Sequence, residues 1–80
     1  PALHRAIKGL AAIAAKGGLV NKAIDVATND LLQAGFAKVD YLAVRDAETL
    51  EPFAPKSGRS GRVLGAAWLG STRLIDNIAV

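Results

Sequence analysis

A chain of 80 residues and 8.3 kDa holds one domain at most, close to the size at which a single apolar core only just offsets chain entropy. Hydrophobic residues at 51% and charged residues at 21% exclude a disordered polymer, the lack of cysteine excludes disulfides and thiolate metal sites, and no apolar run approaches the roughly 20 residues that cross a bilayer. A net charge of +3 is mildly basic and suits either an anionic partner or plain solubility.

The first residues mix His4, Arg5 and Lys8 among apolar ones, which is not the layout of a signal peptide. A soluble, cytoplasmic protein is expected. The chain has no methionine and begins inside an apparent helix, so an excised domain is expected rather than a whole protein. Over residues 1–16, Leu3, Ile7, Leu10 and Ala14 fall at the spacing of one helical stripe, with Arg5, Lys8 and Lys16 off it, and Gly17 and Gly18 supply the stop. Gly9 interrupts this first helix at a cost of about 1 kcal/mol relative to alanine, unless close packing needs the missing side chain. A second helix is predicted over 22–34, with Asn21 as its N-cap, Ile24, Ala27 and Leu31 as its buried stripe, and Gly35 as its end. The short connection makes the pair an antiparallel helical hairpin.

From 37 to 45 the period changes to two, and β-branched and aromatic content predicts a strand. Residues 46–50 read as its exit, Pro52 and Pro55 hold extended backbone that cannot enter a central ladder, and 56–61 (KSGRSG) reads as a polar loop. Two apolar runs, 63–69 and 73–78, flank Gly70 and Ser71, a pair suited to a two-residue hairpin turn. The fold class expected is α+β, a two-helix hairpin followed by a three-stranded antiparallel sheet with the helices on one face. Apolar residues fall on both faces of every strand, predicted as Leu42, Val44, Leu64, Trp68 and Ile75 on one side and Val39, Tyr41, Val63, Leu69, Leu74 and Ile78 on the other. Two helices cover one face only, so the other is expected to meet a missing domain or a second copy of the chain.

Little in the chain carries chemistry. His4 is the only histidine and reads as a surface residue, since acid–base work needs a positioned partner and a cleft. Asp46, Glu48 and Glu51 lack calcium-loop spacing and read as a turn; Asp76 with Asn77 reads as holding backbone. The run 56–62 (KSGRSGR) matches no phosphate-loop spacing. Phe36, Tyr41, Phe53 and Trp68 are scattered and read mostly as core, so no nucleic-acid surface is predicted, and no membrane contact. No catalytic, cofactor-binding or metal-binding residue is assigned.

The segments VDYLAVRDAETLEP (39–52) and LGAAWLGSTRLIDNI (64–78) together closely resemble the C-terminal domain of the pantoate-beta-alanine ligase family. The two-helix stretch before them has the length and form expected there. The resemblance implies that residues 1–80 are a C-terminal lid domain of an ATP-dependent, amide-forming ligase that acts with magnesium. In that family pantoate's carboxylate attacks the α-phosphate to give pantoyl adenylate, and the amine of beta-alanine then displaces AMP. The family's nucleotide-binding elements, an N-terminal Rossmann-like domain, a His-x-Gly-His motif and a Ser-Ser-Arg-Asn segment, do not occur in these 80 residues. The resemblance therefore implies a chain inactive alone, with no strongly bound cofactor and a missing nucleotide-binding domain as partner, while the two-sided apolar strands predict homo-oligomer formation through the spare apolar face. Arg45 and Arg73, at strand ends, are the candidates for reaching anionic groups or that domain; the competing reading pairs them with Asp46 or Asp76 to fix the sheet. A self-contained dimerising or anion-binding module is the alternative function.

Overall fold

The computed structural model describes residues 2–53 and 60–80. The first helix, α1 (Ala2–Ala15), buries Leu3, Ile7, Leu10 and Ala14 as the spacing predicts, and adds Ala11. It ends in a Schellman motif: Gly17 takes φ 71° and donates to the Ala14 carbonyl, while Gly18 donates to that of Ile13. The second, α2 (Val20–Gln33), ends the same way, with Gly35 at φ 109° donating to Leu32 and Phe36 donating to Leu31. Leu31 and Phe36 both sink into the core, so the stop of α2 also anchors the chain that feeds the sheet.

The start of α2 differs from expectation. Its N-cap is Leu19, whose side chain offers no oxygen, and Asn21 lies inside the first turn, where it cannot cap. Val20 is half-buried against the core, and seating it there pulls the helix start two residues upstream of the residue that capping chemistry favours.

Three strands follow, β1 (Lys38–Asp46), β2 (Gly61–Leu69) and β3 (Thr72–Ala79), in antiparallel order β1-β2-β3. β2 begins two residues earlier than the apolar run suggested, because Gly61 pairs with Asp46 and Arg62 with Arg45. Residues 56–59 of the predicted polar loop lie outside the described residues. At the hairpin Leu69 faces Thr72 across Gly70 and Ser71, and Gly70 takes φ 63° at the first central position, where a side chain would strain the turn. Pro52 makes a single bridge to Arg45 on the outer edge of β1, an edge position that tolerates its missing N–H.

The division of residues between the two faces needs correction. Val39 is opposite Ala67 but Tyr41 is opposite Ala66, so Asp40 is an extra, bulged residue that flips the phase of β1. Val39, Leu42 and Val44 therefore share one face with Val63, Gly65, Ala67, Leu74 and Ile78, and this face carries the helices. Tyr41, Ala43, Leu64, Ala66, Trp68 and Ile75 share the other. Tyr41 and Trp68 are thus outside the helix-covered core, whereas Phe36 is buried in it and Phe53 packs on its rim. α1 approaches the sheet closely at Gly65, where an added Cβ would lie 3.0 Å from Leu42, 3.1 Å from Ile7 and 3.3 Å from Leu3. The result is a two-layer slab measuring 38 × 21 × 17 Å, one layer of helices and one of strands.

Candidate functional surface

The face of the sheet away from the helices is the most distinctive surface among the described residues. Registers place its side chains in rows across the strands: Trp68 beside Arg73; Tyr41, Ala66 and Ile75; Ala43, Leu64 and Asn77; then Arg45, Arg62 and Ala79. The middle is apolar, with Ile75 62% and Tyr41 42% exposed, and both ends are cationic. Exposed apolar side chains clustered in this way and rimmed by charge mark contact surfaces.

Asp40 organises one end. The bulge turns its carboxylate onto this face, where Oδ2 accepts from Trp68 Nε1 at 3.1 Å and Arg73 Nε at 2.8 Å, while Lys38 Nζ stands 3.5 Å from Oδ1. The Arg73 guanidinium, aided by Trp68 and Lys38, holds this carboxyl below its ordinary value of 3.8. Three groups from β1, β2 and β3 are tied to one carboxylate, which joins the three strands at that end. The pairing partner of Arg73 is accordingly Asp40 and not Asp76. A sequence signal for this role existed, since an acidic residue inside the run Lys38 to Val44 breaks strand patterning.

At the opposite end Arg45 stands directly across from Arg62. Like charges so placed repel, and among the described residues neither has a carboxylate partner. Arg62 Nε is steadied by Asn77 Oδ1 at 2.9 Å; Arg45 makes only a long 3.5 Å contact to the Val44 carbonyl. The sequence singled out Arg45 but not its cross-strand neighbour, because the strand was started one residue too late to include Arg62. Arg45 and Arg73 lie on the same face at opposite ends, so no single small anion bridges them.

The remaining candidates are structural. Asp46 is 6% exposed, and its Oδ1 accepts from the backbone of Glu48 and Thr49 at 2.9 and 3.1 Å, closing the turn after β1 as expected. Leu50 closes the same segment at φ 62°. No group of three or more His, Asp or Glu side chains among the described residues is placed to hold a metal ion. His4 is exposed and donates to Asp76 Oδ2 at 2.9 Å, joining α1 to β3; that bond, with the Asn77 amide on Oδ1, holds the Asp76 carboxyl below 3.8. A groove of about 590 Å³ runs between α1 and α2, lined by Ala6, Gly9, Ile13, Val26 and Ala27 among others. No helix among the described residues is long and apolar enough to cross a membrane.

Comparison with known proteins adds what these contacts cannot. The chain is 48% identical to the pantothenate synthetase of Caulobacter vibrioides over 99% of its own length, and 49% identical to that of a Bradyrhizobium species over its whole length. The crystal structure of pantothenate synthetase from Thermus thermophilus superposes with a TM-score of 0.69 at 34% identity, over 98% of the chain. In all three cases the chain spans only 28% of the relative's length. The family model described as pantoate-beta-alanine ligase matches residues 1–79, and the chain belongs to that family.

Proposed function

We propose that this chain is the C-terminal lid of a pantothenate synthetase and that the open face of its sheet closes over a nucleotide-binding domain supplied by the rest of the enzyme. The observation that carries the proposal is the open face itself, apolar in its middle and ringed by Arg45, Arg62 and Arg73, in a chain that spans 28% of its relatives. The complete enzyme joins pantoate to beta-alanine with ATP and magnesium through pantoyl adenylate, in the cytoplasm. An acyl adenylate is activated toward water as well as toward an amine, so a cover that expels solvent and aligns the nucleophile raises the yield per ATP. Arg45 and Arg73 supply cationic contacts at the two ends of the closing surface. Arg73 is held in place for this role by its Nε bond to Asp40.

Alone, the chain makes no pantothenate, does not hold ATP or magnesium tightly, and self-associates weakly through the same face. The experiment is to supply the purified chain with ATP, magnesium, pantoate and beta-alanine and to look for pantothenate and AMP. Neither should form. Sustained product formation by the chain alone would overturn the proposal.

A further inference from the structure

β3 lies at an edge of the sheet, with β2 on one side and, among the described residues, no strand on the other. The Val80 amide donates to the Gly61 carbonyl at 2.9 Å, so even-numbered residues of this stretch direct their backbone groups toward β2. Antiparallel alternation then turns the amides and carbonyls of Arg73, Ile75, Asn77 and Ala79 outward. A row of unpaired backbone groups is a template for another strand.

This edge fits a second copy of itself. A two-fold axis at Ile75 sets that residue against its counterpart and Arg73 across from the second copy's Asn77, with every facing pair on the same side of the sheet and no like charges directly opposed. Ile75, the most exposed large apolar side chain of β3, would gain cover from the pairing.

One outward group is already occupied. The Asn77 amide donates to Asp76 Oδ1 at 2.8 Å, and the other oxygen of the same carboxylate accepts from His4 Nδ1 at 2.9 Å. An incoming strand must displace the carboxylate from the amide and leave a charge at the new junction, a cost of the kind that keeps edge strands apart. We infer that Asp76, anchored by His4 from α1, closes the outer edge of β3 against pairing with a second copy of the chain. The device acts in the plane of the sheet, so it is independent of the open face and of the lid role.

The test is Asp76→Ala, read by amide hydrogen exchange at dilute and concentrated protein. In the parent chain the Arg73, Ile75 and Ala79 amides exchange quickly at both concentrations. In the variant they become protected on concentration, by about tenfold or more, as the edge pairs. Association through the open face would not protect them. Asp76→Asn keeps an oxygen for the Asn77 amide but loses the charge, and should be protected on concentration less than Asp76→Ala. His4→Ala leaves β3 unchanged in sequence and should give partial protection, which keeps the test intact if Asp76→Ala does not fold. Exchange at these three amides that ignores concentration in both His4→Ala and Asp76→Ala, or an Asp76→Asn variant that pairs as readily as Asp76→Ala, would overturn the inference.

Discussion

Gly9→Ala should stabilise the chain, because the glycine is unnecessary where it stands. It lies in the middle of α1, and a Cβ built there meets no atom within 4 Å beyond its own stretch of helix. The substitution therefore adds no clash and removes the helix-interior penalty of glycine, about 1 kcal/mol, which arises from backbone freedom in the unfolded chain. An unfolding entropy of about 2.1 cal/mol/K per residue over 80 residues gives about 170 cal/mol/K, so 1 kcal/mol raises Tm by about 6 °C. Circular dichroism melts and urea titration are the assays, and the urea midpoint should rise with an unchanged slope, since the surface exposed on unfolding is the same. An unchanged or lower Tm would refute the reasoning. It would mean that the groove between α1 and α2 is filled in solution, most simply by another chain, and that the space beside Gly9 is not spare.

Three more outcomes are expected. Leu19→Ser gives α2 the side-chain cap it lacks and should add about 1 kcal/mol to stability in urea titration, while Asn21→Ala should change little; a loss of that size at Asn21 would restore the cap that the structure moves to Leu19. Asp40 and Asp76 both have folded-state pKa values below 3.8, so each favours the folded state fully above that value and loses its contribution as pH falls through the lower folded value. Asp40→Asn and Asp76→Asn should each flatten the stability profile below about pH 4, and a variant whose acid limb matches the parent would show that its ion pair does not form. Arg45→Glu replaces the repulsion facing Arg62 by an opposite-charge pair and should stabilise the isolated chain by roughly 0.2–1 kcal/mol, read by urea titration. On the proposed lid role, the same change should lower turnover of the complete enzyme, because the closing surface would lose a cation. A chain that is less stable, or an enzyme that is unaffected, would count against the surface as described.

Most of the fold was legible in the sequence because most of it rests on periodicity and glycine. The α1 stripe of Leu3, Ile7, Leu10 and Ala14 is buried as its spacing requires, and Gly17, Gly35 and Gly70 end their elements at positive φ. What the sequence hid depends on register. One bulged residue, Asp40, reverses which side chains of β1 face the helices, and no local pattern states that phase once an extra residue is inserted. The N-cap was hidden for a related reason: packing of Val20 set the start of α2, and Asn21 came to lie inside it. The surface was half legible. Arg45 and Arg73 stood out as charges at strand ends, but the facing of Arg45 with Arg62 and the ties of Arg73 to Asp40 and His4 to Asp76 join residues 17 or more positions apart. The comparisons, by contrast, agree with the resemblance carried by the second half of the chain along nearly its whole length.

The most direct measurement places Ile75→Glu, a charge in the middle of the open sheet face, within a complete pantothenate synthetase carrying this chain, and counts pantothenate formed per AMP released. If the face covers the adenylate, the variant keeps its fold but releases AMP without an equal amount of pantothenate, as water reaches the intermediate. Pantothenate and AMP still formed one for one at the parent rate would contradict the lid.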